Sequence, residues 1–187
     1  MKMVLVGAST GGPGHIEKIL CALPPSFCGV LLVAQHINRV FLPTLAENMN
    51  GCCPFPVSMA HTGETPQGGA IYFLHVESNR IGYNGTFAPC SKEPPYTPSV
   101  DELFFSVAET VRHPEEVLAV LLTGIGDDGA RGMLALKERG VRTIAESEES
   151  AIVYGMPRSA AELGAATEIR PITEIIREIL RFTEKFG

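Results

Sequence analysis

Met3-Val4-Leu5-Val6-Gly7-Ala8-Ser9-Thr10-Gly11-Gly12-Pro13-Gly14 sets the terms for the rest of the chain. Met3 to Val6 is a short apolar run that reads as a strand, and Ile16, Ile19, Leu20 and Leu23 recur at helical spacing after it. A strand entering a glycine turn and then a helix does one of two jobs. It cradles a phosphate on the helix N-terminus, or it exposes a nucleophile beside backbone N–H groups that hold an oxyanion.

Working outward, Gly29 to Ala34 is a second continuous apolar run, the mark of a strand buried on both faces, and it ends at Gln35-His36. Phe41 to Met49 follows with helical periodicity, so the first fifty residues read β-α-β-α. From Cys53 to Pro98 the pattern breaks. Pro54, Pro56, Pro66, Pro89, Pro94 and Pro95 interrupt it, and short alternating runs at 56–59, 70–74, 79–83 and 86–89 read as an antiparallel excursion at one sheet edge. Asn84-Gly85 reads there as a type I′ hairpin turn.

Regular alternation then resumes. Ser99-Val100-Asp101-Glu102 is a capping box, with Glu102 expected to reach back to the Ser99 N–H. Val117 to Thr123 is the third buried strand and runs into Gly124-Ile125-Gly126-Asp127-Asp128-Gly129. A helix over 130–139, a strand over 142–145, a short helix over 156–163, a strand over 168–170 and an amphipathic helix from Ile172 complete the pattern. The fold class expected is α/β: a parallel sheet with helices on both faces and an antiparallel edge hairpin, in one domain spanning 1–187.

Composition narrows the function. The 187 residues carry 45% apolar and 19% charged residues, which is globular rather than disordered, and the formal charge of −6 offers no basic patch for nucleic acid. Cys21, Cys28, Cys52, Cys53 and Cys90 form no Cys-x-x-Cys pair and read as free thiols of a cytoplasmic protein. No apolar run is long enough to insert in a membrane.

In an open parallel sheet, ligands bind at the carboxyl ends of strands where the winding reverses. Three such ends carry a hydroxyl (Ser9), an imidazole (His36) and a carboxylate (Asp128), the parts of an acyl-transfer triad. Each alone has a plainer explanation: serine in a glycine turn, histidine in a loop, Asp127 or Asp128 at a helix N-terminus. Their joint placement is what points to catalysis. In that arrangement His36 Nε2 is expected toward Ser9 Oγ, with a carboxylate on Nδ1. The dinucleotide alternative lacks the third glycine of Gly-x-Gly-x-x-Gly and an acid after the second strand, and no mononucleotide-loop Gly-Lys-Ser/Thr occurs. His15, His61, His75 and His113 read as scattered and solvated.

Gly7 to Pro13, Gln35-His36, Pro98 to Asp101, Thr123 to Met133 and Gly155-Met156-Pro157-Arg158 together resemble the catalytic domain of the CheB family of bacterial chemotaxis protein-glutamate methylesterases. The match runs in order across essentially the whole chain. The resemblance implies Ser9 as nucleophile, His36 as general base and Asp128 as orienting carboxylate, Asp127 lying where the family varies. It also implies an oxyanion donor in the backbone N–H of Ile125, where methionine is more usual, and a hydrogen bond from Thr10 within the site. The reaction implied is hydrolysis of glutamate methyl esters, with deamidation of glutamines in parallel, on the cytoplasmic domains of methyl-accepting chemoreceptors, without a cofactor. The family's phospho-receiver domain has no counterpart in these residues. Two segments depart from the family pattern, Phe73 to Ser78 and Tyr96-Thr97, both expected at the mouth of the site. A fold-retaining binding module without turnover and a nucleotide-binding protein are the alternatives.

Overall fold

The apolar runs become parallel strands. In the computed structural model, which describes residues 1–184, β1 (Met3–Ala8), β2 (Val30–Gln35), β3 (Val57–Met59), β4 (Ala70–Phe73), β7 (Val117–Leu121), β8 (Arg142–Glu146) and β9 (Glu168–Arg170) form one sheet in the order β3-β4-β2-β1-β7-β8-β9. Every pairing in it is parallel. β1, β2 and β7 have almost no exposed side-chain surface, as strands covered on both faces must.

Among the described residues, six helices supply the cover: α1 (Gly12–Ala22), α2 (Leu42–Met49), α3 (Val100–Thr110), α4 (Ala130–Glu138), α5 (Met156–Glu162) and α6 (Ile172–Thr183). Alternate strand residues divide the core in two. Val4, Val6, Leu31 and Val33 pack with Ile16, Ile19, Leu42, Ile175 and Ile179 of α1, α2 and α6. Leu5, Leu32, Ala119 and Leu121 pack with Val100, Phe104, Met133, Leu136 and Met156 of α3, α4 and α5.

The proline-interrupted region differs from the sequence expectation. β3 and β4 join the main sheet in parallel, and only β5 (Arg80–Ile81) and β6 (Phe87–Ala88) are antiparallel, as a separate two-stranded sheet. Their turn is not type I′, which needs positive φ at both central residues. Only Gly85 has positive φ, at 78°, and its N–H donates to the Gly82 carbonyl while the Gly82 N–H donates to that of Thr86. The loop is therefore the three-residue form, with glycine taking the left-handed position so that Asn84 need not.

The capping box at α3 is half formed. Ser99 Oγ accepts the Glu102 N–H, but the Glu102 carboxylate turns away to Arg80, 2.7 Å from its guanidinium. A full ionic partner outcompetes a single backbone N–H.

Winding leaves β1 in one direction toward β2 and in the other toward β7, so the switch point lies between β1 and β7. The crevice outside their carboxyl ends is where this topology puts a ligand.

Candidate active site

Register alone brings the first two residues together. Ala8 of β1 pairs with Gln35 of β2, so Ser9 and His36 leave adjacent strands at the same level, and the His36 N–H donates to the Ala8 carbonyl. On the other flank the Ser9 N–H donates to the Thr123 carbonyl, 3.0 Å away, just past β7. The turn is closed by the Gly12 N–H donating to the Ser9 carbonyl, with Gly11 at φ 82° where a side chain would be strained. Ser9 is half-buried at its surface.

Asp128 completes the group. Its Oδ2 lies 2.6 Å from His36 Nε2, and the carboxylate is 3% exposed, whereas Asp127 faces solvent. A charge this buried needs donors. Asp128 accepts the N–H groups of Val100 (2.7 Å) and Asp101 (2.9 Å) and the Ser99 hydroxyl (3.2 Å). It thus sits on the N-terminus of α3, where unpaired amides and the helix dipole favour an anion. The Pro98-Ser99-Val100-Asp101 stretch is the seat of the acid.

The ring is oriented the other way round from the expectation. Asp128 holds Nε2, not Nδ1. No hydrogen bond joins Ser9 Oγ to the ring among the described residues, and such contacts commonly tighten only when substrate binds.

Tyr96 stacks on His36, with ring centroids 5.0 Å apart and planes within 10°. This segment is one of the two that depart from the family pattern, and it does lie over the site. Ile125 is exposed in side chain, and its backbone N–H is engaged by no described group, as an oxyanion donor requires. Thr10 is exposed and takes part through its carbonyl, which accepts the Thr123 hydroxyl at 2.9 Å, rather than through its own hydroxyl.

Sequence reasoning missed several residues. Gln35 is 1% exposed and its Nε2 donates to the carbonyls of both Ser9 and His36, tying the Ser9 turn to His36 at 2.9 Å each. Its Oε1 lies against Gly12 without a partner. An acceptor at the start of α1 is the wrong polarity for a phosphate, which weakens the nucleotide alternative further. His15, read as solvated, is 4% exposed and paired with Glu146. The available signal for Gln35 was a polar residue closing an otherwise apolar strand; β8 opens on Arg142 and Thr143, so Glu146 carried no such mark.

Asp101 is a second carboxylate beside the first. Burial, reinforced by the neighbouring Asp128 charge, pushes it from 3.8 up to about 6, against the Gly132 N–H that it accepts at 2.6 Å. Because the folded value is raised, ionising Asp101 weakens the fold as pH rises from about 4 through 6. Asp101→Asn keeps an acceptor for Gly132 without the charge. The thermal midpoint of that variant, relative to the unsubstituted protein, is expected to climb between pH 4 and 6 and level off above about 7. Paired thermal scans across that range measure it; a flat difference overturns it.

The model of the family described as CheB methylesterase matches residues 4–179. The chain belongs to the CheB methylesterase family. It is 41% identical over 187 residues to a protein-glutamate methylesterase/protein-glutamine glutaminase of Cupriavidus pinatubonensis, covering 96% of this chain and 53% of that one. A protein of the same description from Pseudomonas syringae is 40% identical, covering 98% and 55%. The chain spans about half the length of the curated relatives it matches. The CheB methylesterase catalytic domain of Thermotoga maritima superposes with a TM-score of 0.86 at 32% identity, covering 96% of this chain and 97% of that chain. Among the described residues, no helix is long and apolar enough to cross a membrane.

Proposed function

We propose that the chain is a serine hydrolase that removes methyl esters from glutamate side chains of chemoreceptors in the cytoplasm, and deamidates receptor glutamines by the same route. The observation that carries this reading is the 2.6 Å pairing of His36 with a buried Asp128, one strand from the serine of a glycine turn.

Ser9 Oγ attacks the ester carbonyl while His36 Nδ1 takes its proton. Asp128, fixed by the amides of α3, holds Nε2–H and stabilises the imidazolium that forms. The carbonyl oxygen becomes an oxyanion facing the Ile125 N–H. The imidazolium returns the proton to the departing methoxide, methanol leaves, and acyl-Ser9 remains. Water then repeats the sequence and frees the glutamate. With a carboxamide the leaving group is ammonia and the product is the same carboxylate.

The test is methanol release from methylated receptor membranes. Ser9→Ala is expected to remove it, since loss of the nucleophile costs on the order of 10⁶ in kcat in serine hydrolases. Undiminished release by Ser9→Ala overturns the assignment. Covalent capture of a fluorophosphonate at Ser9, with no methanol released, would instead favour a site that has kept its nucleophile but not this substrate; no capture at all favours the binding module.

A further inference from the structure

Beneath the nucleophile turn lies a carboxylate for which the mechanism above has no use. Glu146, the last residue of β8, has no exposed surface. Its Oε2 accepts the Thr123 N–H at 2.7 Å, its Oε1 accepts the Ser150 hydroxyl at 2.7 Å, and His15 Nδ1 lies 3.1 and 3.2 Å from the two oxygens. Replacing a buried ion pair by well-packed apolar residues is often neutral or stabilising, so stability alone is a poor reason to keep one here. What a carboxylate does and an apolar side chain does not is hold its partners in fixed directions.

Two of those partners, Thr123 and His15, flank the serine turn. Thr123 carries the carbonyl that accepts the Ser9 N–H, and its hydroxyl donates to the Thr10 carbonyl while accepting the Val153 N–H. His15 lies in the first turn of α1, one residue beyond Gly12-Pro13-Gly14, and the Gly12 N–H holds the Ser9 carbonyl. A single carboxylate therefore grips Ser9 from the β7 side through Thr123 and from the helix side through His15. We infer that Glu146, with His15, is a positioning residue for the Ser9 nucleophile: it fixes where Oγ stands relative to His36 without touching substrate. The inference rests on the esterase reading of Ser9.

The rate of Ser9 labelling by a fluorophosphonate, measured beside kcat and KM for methyl-ester hydrolysis, tests it. Glu146→Leu is expected to lower labelling and kcat together by roughly 10–100-fold, the scale of a sub-ångström to 1 Å misplacement, with KM little changed. Glu146→Gln should recover most of that loss, because its amide oxygen still accepts the Thr123 N–H and its amide nitrogen still has Ser150 and His15 to bond. Should Glu146→Leu fail to fold, His15→Leu releases only the helix side and is expected to slow labelling by about 3–10-fold. Labelling at the unsubstituted rate in the folded leucine variant, a rise in KM with kcat intact, or no recovery in Glu146→Gln each overturns the inference. The two readings fail separately. If the unsubstituted chain releases no methanol while labelling ranks as expected, the substrate assignment falls and Glu146 keeps its role; if methanol is released and Glu146→Leu labels normally, only the role of Glu146 falls.

Discussion

Asp128→Ala is expected to lose activity and stability together, where Ser9→Ala loses activity alone. The carboxylate accepts from Val100, Asp101, Ser99 and His36. Removing it strands the buried Val100 amide and the part-buried Asp101 amide at the start of α3, and a buried amide left without a partner costs about 1–3 kcal/mol. A loss of about 3–5 kcal/mol is expected in chemical denaturation, the range seen when one partner of a buried charged pair is deleted. Asp128→Asn keeps the volume but sets an NH₂ against donors on one side or the other. An NH₂ in place of Oδ2 meets both the Val100 N–H and the imidazole, and one in place of Oδ1 meets the Asp101 N–H. Its rate of methanol release should fall by about 10⁴, the effect of the same exchange in a serine-protease triad. Asp127→Ala is the control: the side chain is exposed, so its stability should stay within about 0.5 kcal/mol. If Asp127→Ala is the inactive one and Asp128→Asn turns over normally, the acid has been assigned to the wrong residue.

What the sequence discloses about this protein depends on whether the information is local. The central strands are legible because a strand buried on both faces must be apolar throughout, and Val4 to Val6, Val30 to Ala34 and Val117 to Leu121 are. The helices are legible from the 3.6-residue spacing of residues such as Ile172, Ile175 and Ile179. β3 and β4 are short and bounded by prolines and glycines, and nothing within them says whether a neighbour runs parallel or antiparallel. β4 takes its direction from β2, far upstream in the chain, and β3 from β4. The site divides in the same way. Ser9, His36 and Asp128 stand out in the sequence as reactive types at strand ends, and the structure sets Asp128 against His36, with Ser9 leaving the adjacent strand at the same level. That Asp128 takes Nε2 was not legible in the sequence, because it depends on how α3 presents its amides to the loop after β7. His15 was misread for a related reason: a histidine flanked by glycine and isoleucine gives no sign that a carboxylate 131 residues away will bury it.

Gly124→Ala is expected to cripple turnover while leaving the protein folded. No unusual backbone conformation is required of Gly124; its limit is space. A methyl group there would stand 2.7 Å from Ser9 Cβ and 3.1 Å from Ser9 N, and would overlap the Met156 thioether. Met156 is a flexible chain and can yield. Ser9 cannot yield freely, because its N–H is held by Thr123, its carbonyl by Gln35 and Gly12, and its Cβ moves only with the turn. Restoring ordinary contact, 3.4 Å, requires Ser9 to retreat by about 0.7 Å. A displacement of that size is expected to lower kcat by roughly 10²-fold. Overpacking by one methyl should cost about 1–3 kcal/mol of stability. The two effects are separable. Adding Met156→Ala relieves the overlap with sulfur but not the one with Ser9, so the double variant should regain part of the lost thermal midpoint and almost none of the lost rate. Fluorophosphonate labelling and thermal scans on the same samples measure both. Recovery of rate in step with stability would mean that the methyl acts through the core of α5 rather than through the nucleophile.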